Sequence, residues 1–148
     1  MLKTKMFNDE NKPSFSERQE IVEFLHQHLE QFGDPKPHIT KCIDYAIKEI
    51  NSFGGFILVA SEEAEILSAV VVNQTGMGGY IPENILVYIA THKDYRGKGI
   101  GKQLMQKAMG VSSGDIALHV EPNNPARFLY EKLGFTNKYS EMRFKKVD

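Results

Sequence analysis

The segment Arg96-Gly97-Lys98-Gly99-Ile100-Gly101-Lys102 places three alternating glycines directly after an apolar run and at the start of a helical pattern. Backbone without Cβ atoms lets successive N–H groups point into one concavity. A helix beginning there adds its unpaired first-turn donors and the positive end of its dipole. Such a turn is an anion cradle suited to a pyrophosphate, with Arg96, Lys98 and Lys102 supplying mobile charge beside it. The glycines fall at i, i+2 and i+4, which is not the dinucleotide spacing Gly-x-Gly-x-x-Gly. Gln103 follows Gly101-Lys102 where a P-loop needs Ser or Thr. Glycine is also the ordinary residue of tight connections, so the turn alone leaves a purely structural role open.

Other residue types add less. His26, His28, His38 and His92 are too scattered for a metal-ligand set, and no metal is expected. Cys42 lies beside the apolar stripe of a helix and reads as a small hydrophobe, not a nucleophile.

The stretch from Ile89 through Ala90, Thr91 and His92 to Gly101 resembles the acetyl-CoA-binding motif of the GCN5-related N-acetyltransferase (GNAT) superfamily, Arg/Gln-x-x-Gly-x-Gly/Ala. Arg96, Gly99 and Gly101 occupy its defined positions. A second stretch, from Asn123 through Asn124, Ala126, Leu129 and Tyr130 to Gly134 and Phe135, resembles the later motif of the same superfamily. Two motifs in the right order make the resemblance specific. It implies a mostly antiparallel twisted sheet flanked by helices, and transfer of an acetyl group from acetyl-CoA to a primary amine in a ternary complex. The pyrophosphate of CoA would rest on Gly97, Lys98, Gly99, Ile100, Gly101 and Lys102, beside Arg96. The pantetheine arm would run along Ile89, Ala90 and Thr91 like an added strand. Where that strand bulges from its neighbour, the Ile89 N–H would face the thioester oxygen.

Tyr130 matches the position that protonates the leaving thiolate in many members, although in an amphipathic helix it also reads as core. Asn124 matches the asparagine that holds the pantetheine arm, a role compatible with capping a helix. Arg127 reads as a surface residue. Many members carry a carboxylate on the strand before the glycine turn, but here that stretch is Leu86-Val87-Tyr88-Ile89-Ala90, with no acid. Candidates for the base are Glu83 at the start of the strand, His119 and Glu121 around the end of the next one, and a water chain to solvent. Tyr88 is a weaker candidate to face the substrate.

Those residues need elements to hold them. Ser14 and Glu17 make a capping-box pattern, and Ile21, Leu25, His28, Leu29 and Phe32 follow at helical spacing up to Gly33. Ile39, Ile43, Ala46, Ile47 and Ile50 mark a second helix, which the pattern carries to Gly54. Residues 56–60 and 66–72 form an antiparallel hairpin, residues 85–90 and 116–120 two further strands, and residues 126–133 a last helix. A weak first strand spans residues 2–7, and a final extended stretch runs through Phe144. The order βααβββαβαβ predicts a mixed α/β sheet in a single domain over residues 1–148.

Composition sets the remaining bounds. With 148 residues, 18 Lys+Arg against 19 Asp+Glu and a single cysteine, the chain has no polybasic stripe and no intrachain disulfide. Its apolar runs are far short of the roughly 18 residues of a membrane span. The start of the chain has no apolar signal-peptide core. These features predict a cytoplasmic protein without nucleic-acid or membrane partners, and the resemblance implies a small-molecule or peptide amine as its acceptor. Edge strands leave a homodimer open. Two other readings stand beside the enzyme: an acyl-CoA-binding or sensing module without chemistry, which the missing strand acid would suit, and an interaction domain, which the paired motifs disfavour.

Overall fold

The computed structural model describes residues 2–147. The elements run β1 (Lys3–Phe7), α1 (Phe15–Leu29), α2 (Lys36–Ala46), β2 (Gly55–Glu62), β3 (Glu65–Gln74), β4 (Asn84–Thr91), α3 (Ile100–Val111), β5 (Ile116–Leu118) and α4 (Ala126–Lys132). The chain divides into two units, one up to Leu118 and one from His119 onward.

In the first unit the sheet order is β1-β2-β3-β4-β5. Its first four strands pair antiparallel and β4 pairs parallel with β5. The β2–β3 hairpin turns on Glu63 and Ala64, both left-handed with φ of 51° and 67°. That conformation matches the twist of the flanking strands. Side chains alternate across the sheet. Ile57, Val59, Ala69, Val71, Tyr88 and Ala90 join Ile21, Leu25, Ile39 and Ile43 in one core under α1 and α2. On the other face Leu58, Val70 and Val72 are buried, as are Leu104, Met105 and Ala108 of α3, which packs against β2, β3 and β4.

The capping box forms as its residue types predict. Ser14 Oγ accepts from the Glu17 N–H at 3.1 Å, and Glu17 Oε1 accepts from the Ser14 N–H at 2.9 Å. α1 gives way to a 3-10 turn over Glu30–Phe32, capped by Gly33. Pro35 and Pro37 then start α2, where a missing N–H costs nothing. α2 is shorter than its apolar pattern predicts. Lys48 takes a left-handed φ of 59°, which ends the helix at Ala46 and leaves Ile50 38% exposed.

Two further expectations need correction. β5 stops at Leu118, not 120, because its ladder with β4 ends at the Leu86–Leu118 pair. The final strand does not form: among the described residues nothing pairs with the stretch after α4, and Tyr139, Met142 and Phe144 are 80%, 92% and 88% exposed. Its alternation of Met142 and Phe144 with Arg143 and Lys145 specifies a face to bury, but it does not specify a partner. No helix of the described residues is long and apolar enough to cross a membrane.

Candidate functional site

The glycine turn is built from both ends. Gly97 and Gly99 have φ of 80° and 82°, and a Cβ on either would meet nothing within 4 Å. The left-handed backbone therefore demands glycine while the concave side stays open. The first intrahelical bond of α3 runs from the Gln103 N–H to the Gly99 carbonyl at 3.0 Å. The N–H groups of Ile100, Gly101 and Lys102 precede it and lack helical partners. Gly101 is required for a different reason, since a Cβ there would lie 2.9 Å from Thr91 Oγ1. That hydroxyl is fixed 3.1 Å from Ser68 Oγ, which also donates to the Ala90 carbonyl at 3.0 Å. The helix start thus rests on the end of β4. Open space, a positive helix end and unpaired N–H donors fit a phosphate group.

β4 itself has two halves. At its start, buried Asn84 donates through Nδ2 to the Ser113 and Asp115 carbonyls at 2.9 and 3.2 Å, holding β5 in place. After Leu86 the two strands no longer pair, so residues 87–91 keep an outer edge with no ladder partner among the described residues. In the same region the register against β3 slips: Val71 pairs with Tyr88 while Val72 pairs with Leu86. Val87 is the extra residue of a β-bulge, one position before Tyr88 and two before Ile89. An unpaired, bulged edge running into an anion cradle can receive an extended polar chain ending in phosphates.

Arg96 is not a mobile charge. Its guanidinium donates to the His28 carbonyl at 2.8 Å, to Glu30 Oε1 at 3.0 Å and to the Thr91 carbonyl at 3.2 Å. The planar fork clips the end of α1 to the end of β4. Beneath it His28 is 5% exposed and stacks between Phe24 and His92, with ring centroids 4.7 and 4.4 Å away. Burial first, then the charges of His92, Arg96 and Lys93, lower its pKa. His28 Nδ1 accepts from the Lys93 N–H at 3.3 Å, so the neutral ring is the form that fits.

The base candidates fare differently. Glu83 Oε1 accepts from the Asp115 N–H at 2.7 Å and Oε2 from the Gly79 N–H at 3.3 Å. The Asp115 bond, with weaker help from other backbone N–H groups, lowers its pKa. Glu83 is a clamp between two loops, with both oxygens engaged. His119 and Glu121 are exposed in the second unit. Tyr88, by contrast, is 7% exposed and its hydroxyl donates to Asp34 Oδ2 at 2.5 Å. Asp34 lies in the α1–α2 connection and was not singled out by the sequence.

In the second unit, Asn124 Oδ1 accepts from the Ala126 N–H at 2.9 Å, which supports the first turn of α4. Arg127 donates to the Pro122 carbonyl at 3.3 Å. The helix ends in a Schellman motif: Phe135 N–H bonds the Tyr130 carbonyl at 3.0 Å, Gly134 N–H bonds that of Glu131 at 3.1 Å, and Gly134 has φ 102°. The associated hydrophobic contact is between Tyr130 and Phe135, centroids 6.0 Å apart. The turn through Gly134 therefore sets Phe135 against the ring of Tyr130, which is 8% exposed. Burial pushes its phenol up to about 12.

The model of the acetyltransferase (GNAT) domain matches residues 53–137. N-alpha-acetyltransferase 30 of Schizosaccharomyces pombe is 30% identical over 126 residues, covering 78% of this chain and 82% of that protein. The 5-NmdU N-acetyltransferase of Pseudomonas phage PaMx11 is 32% identical over 84 residues, covering 55% of this chain, which spans only 58% of that protein's length. An aminoglycoside N-acetyltransferase solved in complex with CoA superposes with a TM-score of 0.71 at 13% identity, over 99% of this chain and 95% of that one, a likeness of fold.

Proposed function

The chain belongs to the GNAT acetyltransferase family, and from that premise we propose that it moves an acetyl group from acetyl-CoA to a primary amine of a small molecule, amino acid or peptide. The observation that carries this reading is the open glycine cradle at the start of α3, joined to the unpaired, bulged edge of β4. Acetyl-CoA would supply the activated thioester. The backbone amides from Gly97 to Lys102 would hold its pyrophosphate, with Lys98 and Lys102 as the free charges and Arg96 as a structural clip. Ile89, Ala90 and Thr91 would line the pantetheine arm, and Asn124 would help hold it.

Direct attack by the amine needs charge stabilisation on the carbonyl oxygen and a proton for the departing sulfur. The Ile89 N–H beside the bulge is the proposed oxyanion donor, and losing one such donor costs about 3–4 kcal/mol in other acyl-transfer enzymes. Tyr130 is the proposed acid. Burial keeps its phenol protonated, and an alkyl thiolate in equally dry surroundings is also a stronger base than its ordinary ~8.5 suggests. We take the whole chain to act as one domain in the cytoplasm. The structural match over 99% of its length supports the single domain.

The test is a thiol-release assay with acetyl-CoA against amines, polyamines, amino acids and free-N-terminus peptides, comparing wild type with Tyr130→Phe and Gly99→Glu. Turnover that falls in both variants supports the transferase. Tight acetyl-CoA binding with no turnover on any acceptor moves the non-catalytic binding module ahead.

A further inference from the structure

β4 carries no acid beside its bulge, yet the structure brings one to it. Tyr88 follows the bulge residue Val87 and precedes Ile89, and its buried ring directs the hydroxyl onto Asp34 Oδ2 at 2.5 Å across 54 residues of sequence. We propose that Asp34 is the acceptor-side carboxylate of the reaction, which holds the ammonium of the incoming amine and takes its proton, with Tyr88 as its positioning residue. This rests on the acetyltransferase reading above and names the acceptor as a cationic primary amine.

Three observations support the assignment. Asp34 is exposed, and among the described residues it has no Lys, Arg or His within 4.0 Å, so its charge is uncompensated and Oδ1 is unused. Other carboxylates of the first unit are engaged: Glu30 with Arg96, Asp44 with Arg18, Glu23 with Lys36, and Glu83 with two backbone N–H groups. Burial, and next the bond to Asp34, push the Tyr88 phenol well above its ordinary value. The phenol therefore remains a donor to Asp34, which is held in a short connection between Gly33 and Pro35.

The step balances without another reactant. An ammonium N–H gives its proton to Asp34 Oδ1, leaving a neutral amine and a carboxylic acid. The amine lone pair forms the C–N bond as the C–S bond breaks, the remaining excess proton leaves nitrogen, and the sulfur takes up one proton. Asp34 then returns its proton to solvent, for a net release of one proton per acetyl group moved.

The experiment uses the full chain with acetyl-CoA, wild type against Asp34→Asn, Asp34→Glu and Tyr88→Phe. kcat and KM are measured across pH for the responding amine. In parallel, each amine of the panel and its N-acetylated form is titrated calorimetrically into the CoA-saturated protein. We expect Asp34→Asn to lower kcat/KM by about 10²-fold or more. Its residual activity should rise about tenfold per pH unit, following the free-amine fraction of the acceptor, with CoA affinity unchanged. Asp34→Glu should recover part of the loss, and Tyr88→Phe should raise KM more than it lowers kcat. Asp34→Asn within about threefold of wild type and with the same pH profile overturns the proposal. If wild type turns over no acceptor, the acetyltransferase reading falls and the titration decides this one. Binding of the free amines that weakens about tenfold in Asp34→Asn, with the acetylated forms unaffected, upholds an ammonium site. Equal or absent amine binding overturns it.

Discussion

Tyr130 and His28 are both buried titratable side chains, and burial moves them in opposite senses because each disfavours its own charged form. With its phenol near 12, Tyr130 stays protonated well past the point where an exposed tyrosine ionises. If it is the acid, kcat should show no alkaline decline from its ionisation through about pH 10.5, whereas a phenol at ~10 would begin to lose activity near pH 9. A pH profile of kcat reads this directly. Tyr130→Phe should lower kcat by about 10²-fold or more while the acetyl-CoA Kd stays within about twofold. An unchanged kcat removes Tyr130 from the chemistry. His28 predicts an effect on stability. The unfolded chain binds its proton at ~6.5, and the native state resists that proton to a lower pH. Stability should therefore be full above about pH 6.5, fall as pH drops through that value, and level off below the depressed native pKa. His28→Gln should flatten the fall of Tm between pH 7 and 5, and an unaltered slope would rule out this source.

At the scale of elements, features encoded by neighbours in the chain were legible. Ser14 and Glu17 specify the start of α1, and Leu133-Gly134-Phe135 specify the end of α4. The glycines of the turn mark the join of β4 to α3. Ser14→Ala should cost about 1 kcal/mol in urea unfolding at unchanged m-value, since one orphan N–H loses its acceptor. Gly101→Ala tests the contact between helix and strand. Its methyl must displace Thr91 Oγ1 and with it the bond to Ser68, so acetyl-CoA binding should weaken. Thr91→Ala in the same chain should recover part of the loss, and strictly additive effects would place the clash elsewhere. Contacts made by folding were not legible. Nothing local links Asp34 to Tyr88 or Arg96 to His28, which are 54 and 68 residues apart. The final stretch through Phe144 reads as extended from its residues, but local sequence carries no information about what it would pair with. Glu83 is one of several base candidates in the sequence, and its partners, Asp115 and Gly79, are backbone N–H groups that no residue type announces.

Over the whole molecule, 18 Lys+Arg nearly cancel 19 Asp+Glu, so no long-range field draws in a polyanion and any steering must be local. Folding decides which cations are available for it. Arg96 is partnered by Glu30, Arg18 by Asp44 and Lys36 by Glu23, which takes them out of play. Lys93, Lys98 and Lys102 are exposed and, among the described residues, have no carboxylate within 4.0 Å, with Lys98 resting 5.1 Å from the Tyr95 ring centroid. With Lys98 inside the glycine turn and Lys102 in the first turn of α3, uncompensated on a nearly neutral protein, the proposed CoA affinity would depend on a few named side chains. The Debye length is about 8 Å at physiological ionic strength, short enough for salt to screen exposed pairs of this kind. CoA Kd should therefore rise with added salt, and Lys98→Gln with Lys102→Gln should weaken binding at low salt by about tenfold and remove most of the salt slope. Thermal stability should change by less than about 0.5 kcal/mol, because neither ammonium holds the fold together. Calorimetric titration of CoA at two ionic strengths separates the alternatives: a slope retained in the double variant would mean that backbone amides and helix dipole alone carry the phosphates, and that these lysines are ordinary solvated charges.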